Sequence, residues 1–453
     1  MPNSLNVAII GAGVAGLTAA YELTKAGHTV TVFEAGPNAG GLASGFKADG
    51  WDWTMERFYH HLFASDYEII NLAKEIGIGD KVFFRRPITS LWYKGKVYAL
   101  DSPLAALRFP HLDWINKFRF GLVTLYLRLT PNWQPLEKYT AVEWLTRWMG
   151  QTAYQVLWEP LFIGKFGDDY KSVNMAWFWA RIHKRSPNLG YFVGGFQTFA
   201  DALACRVEQQ GARILYRTPI QSLTPHDGGG ITVTLNGPQE QSAIQNPEPV
   251  LERSEGFKID YDAVIATVSP GLLAKSIPAL PDSYLATLRN LKSLGAVILI
   301  VALDRQLTDG FYWISLSKNE GFPFLALVEH TNFIEPKHYG GDHLLYLGDY
   351  LPPTHRYFQM SQAELEDLFL PQLKRFNPAF DRSWVRCTWL FRTPYAQPVV
   401  PVNYSKMIPP IETPVPGLYF ASMSQVYPWD RGTNYAVEIG RKAARLVMEK
   451  HQG

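Results

Sequence analysis

Asn6-Val-Ala-Ile-Ile10 runs directly into Gly11-Ala-Gly13-Val-Ala-Gly16, and Glu34 closes the next apolar run, Thr29-Val-Thr-Val-Phe33. The first run reads as a buried strand. Residues Val14 to Ala26 carry helical spacing, with Leu17, Ala20, Tyr21 and Leu23 on the packing face, and Gly27 stops the helix. The opening is therefore a βαβ unit of an α/β fold. The three glycines serve different physical ends. Gly11 allows the tight turn, Gly13 lets a pyrophosphate approach the backbone, and Gly16 lets helix and strand pack closely. Free N–H groups and the helix dipole, at Gly13, Val14, Ala15 and Gly16, favour phosphate. Glu34, with Ala35 behind it, stands about 20 residues further on, where a carboxylate accepts hydrogen bonds from ribose hydroxyls and disfavours a 2′-phosphate. This spacing predicts a dinucleotide site and does not separate NAD from FAD.

Working outward, Gly40-Gly41-Leu42-Ala43-Ser44-Gly45 lies where the chain leaving the second strand could fold over the same pyrophosphate; it also reads as a plain surface loop. A helix is expected over Asp66–Ile76, closed by Gly77, then short strands within 82–99. Residues 101–185 read as mainly helical and aromatic. Thr140 and Glu143 form a capping-box signature for a helix that Gly150 ends. Gly194-Gly195 precedes a helix to Gln209 and a strand at Arg213–Tyr216. Residues 225–258 read as a hairpin with its tip near 236–250, Asp262–Thr267 as a buried strand, and 272–415 as short helices and strands in alternation. Gly417–Ala421 reads as a strand and Thr433–Lys450 as a helix. With no internal repeat and no clean linker, the domains should interleave in sequence.

The closing segment, Gly417-Leu-Tyr-Phe-Ala-Ser422 followed by Asp430-Arg-Gly-Thr-Asn434, completes a pattern. The chain resembles the flavin-containing amine oxidase superfamily, including its protoporphyrinogen oxidase and phytoene desaturase branches. Gly190 to Leu203, Thr218-Pro-Ile220 and Tyr261 to Thr267 match further family segments, and Thr140 to Ala180 resembles the substrate domain of the protoporphyrinogen oxidase branch. The resemblance implies FAD as cofactor, with a Rossmann-like FAD domain (1–90, 186–270 and 415–453) interleaved with an α+β substrate domain (91–185 and 271–414). It implies that Gly41, Leu42, Ala43 and Ser44 lie at the pyrophosphate, that Ile220 lies near the adenine, and that the isoalloxazine rests on Gly432, Thr433 and Asn434. A helix start there would stabilise the negative charge of reduced flavin. Two positions depart from the family: Leu42 stands where an arginine often follows the Gly-Gly pair, and Ala421-Ser-Met423 replaces a Gly-Asp or Gly-Glu pair.

Glu56-Arg-Phe-Tyr-His60-His61 falls where related chains approach the flavin ring. His60 or His61 could move protons, or be structural, and Glu56 could be catalytic or a turn acid. Asp430 and Arg431 could position a polar substrate group or pair with each other. The stretch Phe109–Trp133, with Lys117, Arg119 and Arg128 among aromatic and aliphatic residues, could lie on a bilayer, line a channel or pack in a core.

Among 453 residues, 47% are hydrophobic, 19% are charged and the net charge is +2, which suits a globular protein and gives no electrostatic reason to expect nucleic acid. Cys205 and Cys387 make no disulfide framework and are expected as packed, inert thiols in a reducing compartment. No leader or spanning run is visible, so a cytoplasmic protein is expected, with peripheral membrane contact as an alternative. No metal is expected. The expected reaction removes a hydride from a bulky, apolar or amphipathic small molecule such as a polyprenoid or tetrapyrrole, with the electron acceptor open. The rivals are an amine oxidase, a flavin-dependent nucleotide-sugar mutase drawing on Arg181, Arg185 and Arg392, and a non-catalytic flavin-binding protein.

Overall fold

A computed structural model describes residues 4–227, 229–236 and 257–451. The βαβ opening forms as the glycine spacing predicts. Asn6–Ile10 pairs in parallel with Thr29–Phe33 on one side and Ala263–Ala266 on the other. Arg213–Leu215 and Leu418–Phe420 complete a five-stranded, all-parallel sheet. Its strands are buried on both faces, which is why they read as unbroken apolar runs rather than alternating ones. The first helix, Val14–Lys25, and the last, Thr433–Lys450, lie against each other beside this sheet.

A second sheet has seven strands in the spatial order Val385–Pro398, Ser293–Leu303, His343–Leu351, Ala326–Glu329, Phe311–Ser315, Ile88–Tyr93 and Lys96–Ala99. All neighbours are antiparallel except Phe311–Ser315 with Ile88–Tyr93. Two expectations need correction here. Residues 272–415 are not all short elements: three of these strands hold 11, 9 and 14 residues. Ser293–Leu303 is buried along almost its whole length between two paired neighbours, and this central position supports a long strand. The division at residue 90 also cuts through Ile88–Tyr93, which belongs to the second sheet.

Between Pro103 and Lys184 the chain is helical, as its aromatic, capped segments predict. Both capping boxes form, at Thr140 with Glu143 and at Ser361 with Glu364. The expected hairpin forms as Ile231–Leu235 against Lys258–Tyr261; its tip lies outside the described residues. Cys205 and Cys387 are both exposed rather than packed. Among the described residues no helix is long and apolar enough to cross a membrane, and no cluster of His, Cys, Asp or Glu could hold a metal.

Candidate active site

Gly11 takes φ +105°, the left-handed turn for which a side chain is unsuited. A Cβ on Gly16 would stand 2.0 Å from the Gly11 carbonyl oxygen, so helix and strand approach to a distance only glycine permits. Gly13 caps the first helix without a side-chain partner, leaving its first N–H groups free. The Gly-rich segment does fold back: Gly13 and Gly40 form a parallel bridge, and the Gly40 N–H donates to the Ala12 carbonyl at 2.9 Å. Gly41 has φ +57°, and a Cβ there would stand 3.1 Å from the Gly13 Cα. Leu42 is half-buried behind it; Ala43 and Ser44 are buried.

Glu34 locks this cradle. One carboxylate oxygen accepts the Ala12 N–H at 2.8 Å and the other the Gly36 N–H at 2.6 Å. Ala35 beside it is exposed. The Glu34 carbonyl accepts the Thr218 N–H at 2.8 Å, which brings Thr218-Pro-Ile220 alongside, with Ile220 half-buried at the start of the strand Ile220–Pro225.

The last helix begins at Gly432, again without a side-chain cap. A Cβ on Gly440 would stand 2.4 Å from the Ala15 carbonyl oxygen. The last helix follows Leu418–Phe420 and the first follows Asn6–Ile10, parallel strands of one sheet, so both begin at its carboxyl edge. With Gly440 abreast of Ala15, the last helix starts about 10 Å beyond the first, at 1.5 Å per residue. Two uncapped helix starts thus face the same edge of the sheet, where free N–H groups favour a phosphate or an electron-rich group. Thr433 is buried there. The Asn434 side chain faces elsewhere: its oxygen accepts the Glu68 and Ile69 N–H groups at 2.9 and 3.3 Å and caps the helix Tyr67–Glu75, leaving its main-chain N–H at the helix start.

The residues expected to be catalytic fall into two groups. Glu56 is fully buried; its carboxylate accepts the Tyr191 hydroxyl at 2.6 Å and the Phe196 N–H at 2.8 Å, and its carbonyl accepts the Tyr346 hydroxyl. Burial pushes this carboxyl up to about 7, against the pull of those two donors. His60 Nδ1 lies 2.6 Å from the Phe58 carbonyl, and burial drives this imidazole down to about 4. His61 has no partner for its buried Nδ1; burial, with the nearby Arg185, takes it to about 3. Both imidazoles are neutral at pH 7.

Asp430 and Arg431 form the second group, just before the last helix. The Asp430 carboxylate accepts from Trp177 Nε1 at 3.1 Å, Arg181 Nη1 at 2.6 Å and the Arg431 N–H at 3.2 Å, and Lys165 Nζ lies 3.7 Å away. Burial alone would raise its pKa, but Lys165, Arg181 and Arg431 outweigh burial and hold it well below the usual carboxylate range. Arg431 donates to the Ala396 carbonyl and the Tyr350 hydroxyl, and Tyr59 donates to the same hydroxyl at 2.9 Å. Of these partners, Lys165, Trp177, Tyr59 and Tyr350 were not legible as site residues. Lys165 had one signal, a lone lysine in the apolar helix Glu159–Phe166.

Arg57 was also missed. Its N–H donates to the Ser44 carbonyl at 3.2 Å, which sets it beside the Gly-rich segment, and its buried Nε has no hydrogen-bond partner. A buried guanidinium nitrogen without an acceptor is costly unless an anion meets it.

The glycine cradle, the paired helix starts and the acid at the second strand define a dinucleotide-binding α/β protein of the kind that holds a flavin. The family profile described as "Flavin containing amine oxidoreductase" matches residues 14–448, and the chain belongs to that family, with FAD as its cofactor. It is 25% identical over 302 residues to the carotenoid phi-ring synthase of Streptomyces griseus, across 61% of this chain and 54% of that one. It is 24% identical over 285 residues to the chloroplastic protoporphyrinogen oxidase of Nicotiana tabacum, across 54% and 50%. The match thus spans about half the length of these curated relatives. A solved structure from Exiguobacterium sp., assigned as protoporphyrinogen oxidase, shares the fold with a TM-score of 0.75 at 17% identity, over 99% of this chain and 100% of that one.

The chain's own geometry fits FAD. Gly13 and Gly41 leave an open cradle, the main chain of Arg57, whose buried Nε has no partner, adjoins it, and the start of the last helix has no side-chain cap on its free N–H groups.

Proposed function

We propose that this protein is an FAD-dependent oxidoreductase, a desaturase or oxidase acting on a bulky, largely apolar or amphipathic small molecule of polyprenoid or tetrapyrrole type. The observation that carries this reading is the aromatic wall around the start of the last helix. Tyr59 meets Trp313 and Tyr346 edge-on at 4.9 and 5.9 Å, Trp429 stacks on Tyr435 at 5.8 Å, and Trp177 and Tyr350 hold Asp430 and Arg431. Such a wall excludes water and presents flat apolar surface to a substrate. Bound FAD supplies a two-electron acceptor for a hydride. The side chains orient the substrate, and the neutral His60 and His61 avoid placing further positive charge beside the guanidinium of Arg431. The carotenoid and tetrapyrrole names of the relatives agree with this substrate class.

Two further features bear on the reading. The helix Trp114–Leu129 exposes Trp114, Ile115, Phe118, Leu122, Leu125, Tyr126 and Leu129 in one stripe, with only Val123 and Leu127 buried. Core packing of the exposed face is thereby excluded. An apolar stripe with Lys117, Arg119 and Arg128 and no acid within the helix suits an anionic bilayer surface, from which an apolar substrate would be drawn. Of the arginines available to a sugar mutase, Arg392 donates to the Tyr357 and Met360 carbonyls, while Arg181 meets Asp430 through Nη1 alone.

The decisive experiment screens polyprenoids, tetrapyrroles, amines and nucleotide sugars for anaerobic bleaching of the purified flavoprotein. Bleaching by the first two classes is expected. Bleaching by amines alone, or turnover of nucleotide sugars without bleaching, would replace this reading with one of its rivals.

A further inference from the structure

We propose that Lys165, Arg181 and Arg431, arrayed around Asp430 before the last helix, bind an oxyanion carried by the otherwise apolar substrate. The inference rests on the oxidoreductase reading above and specifies its substrate as an amphiphile.

Charge comes first. Lys165 and Arg181 pair with one carboxylate, Arg431 adds a third positive charge nearby, and among the described residues no second acid lies within ion-pair distance of any of them. The cluster is mostly enclosed: the Lys165, Arg181 and Asp430 side chains are only 10, 22 and 20% exposed. Uncompensated positive charge in a poorly solvated place is costly, and it is stabilised by an anion. Asp430 cannot take up the excess. Its two oxygens already face Trp177 Nε1, the Arg431 N–H, Arg181 Nη1 and Lys165 Nζ.

The cations, by contrast, retain donors. Lys165 has three N–H bonds; Gln397 accepts one at 3.3 Å and Asp430 stands at ion-pair distance. Arg181 gives Nη1 to Asp430, and its fork meets no other acceptor among the described residues. The surroundings are apolar on the other side. Lys165 Nζ lies 5.4 Å from the Tyr350 ring centroid and 5.9 Å from that of Trp177. A charged head at the cations would thus be flanked by the aromatic carbon of Tyr350 and Trp177.

Lys165 adds a signature. Burial lowers its pKa well below the ordinary lysine value; Asp430 opposes this, while Arg181 and Arg431 reinforce it. The other groups facing it are the neutral His61 and the rings of Tyr350 and Trp177. An anion seated here favours the ammonium form, so binding takes up a proton wherever the free lysine is partly neutral.

A carboxylate and a phosphate share this chemistry, and the test separates them. Oxidised FAD-loaded protein is titrated with decanoate, decyl phosphate and decanol, following the visible flavin spectrum and, by calorimetry in buffers of different ionisation enthalpy, the protons taken up. Decanoate or decyl phosphate should bind about tenfold or more tightly than decanol. Lys165→Met should abolish the preference, and Lys165→Arg, which keeps charge and should fold even if the methionine variant does not, should retain it. Arg181→Met should weaken it as well. Equal binding of all three probes overturns the proposal, and so does an anion preference that survives both methionine variants. If the preference stands while no apolar compound bleaches the flavin, the oxidoreductase reading fails and the anion site remains.

Discussion

Gly440 of the last helix lies against Ala15 of the first, so close that a Cβ on Gly440 would stand 2.4 Å from the Ala15 carbonyl oxygen. This contact sets the two uncapped helix starts at one edge of one sheet. Gly440→Leu should force the helices apart. The overpacking should cost about 1–3 kcal/mol of stability, and FAD affinity should fall more than stability alone explains. Thermal unfolding of the apo-protein and fluorescence titration with FAD would measure both; unchanged affinity would separate the helix pair from cofactor binding.

Gly13 offers a cleaner separation of fold from ligand. A Cβ there meets nothing nearer than Gly41 Cα at 3.9 Å, and Gly13 has the ordinary φ of −70°. Gly13→Ala should therefore leave the apo-protein as stable as before. Its methyl group would stand where a pyrophosphate approaches the backbone, so the Kd for FAD should rise about tenfold or more, about 1.4 kcal/mol. Retained affinity would show that the phosphates lie elsewhere.

Arg57 should act in the opposite sense on stability. Its buried Nε lacks a partner, so Arg57→Met should leave the apo-protein unchanged or slightly more stable. The FAD complex should weaken about tenfold if the Arg57 side chain, whose main chain adjoins Ser44, supplies the donor that the arginine replaced by Leu42 would give. Apo melting temperature and FAD Kd, measured together, test this; a loss of apo stability with no change in Kd would mark Arg57 as purely structural.

Glu56 should make stability depend on pH. Its carboxyl lies near 7 in the folded protein against 4.5 for the free group. The folded state holds this proton more tightly, so the contribution is full below about 4.5 and is lost as pH rises through 7, about 3 kcal/mol in all. His60 and His61, lowered to about 4 and 3, act on the acid side, where stability is lost as pH falls below the ordinary histidine range. Denaturant titrations of wild type and Glu56→Gln across pH 4–8 should differ by the first component alone; parallel curves would refute the raised value.

The exposed helix should be dispensable for folding and needed at bilayers. Phe118, Leu122 and Leu125 are all more than half exposed, so replacing them with serine should change stability little. Sedimentation with mixed phosphatidylcholine and phosphatidylserine vesicles should fall sharply for that triple variant, and in high salt for the wild type. Equal sedimentation of variant and wild type would assign the stripe another role.

The sequence by itself determined the cofactor half of this protein. Gly11, Gly13 and Gly16 act within one βαβ unit, where local backbone geometry makes their spacing readable; Glu34, expected at a ribose, has its carboxylate on the Ala12 and Gly36 N–H groups, a contact the spacing did not announce. The two capping boxes, like the glycines, were legible from local geometry. The tertiary structure decided the rest. Lys165, Arg181 and Asp430 come from two distant segments, and nothing in their spacing announces that two cations pair with one carboxylate. The lengths of the strands in the second sheet depended on which neighbours cover them, and the fate of the 114–129 stripe on the absence of a covering element among the described residues. Local rules fix what a segment can become, but burial and charge balance belong to the assembled chain.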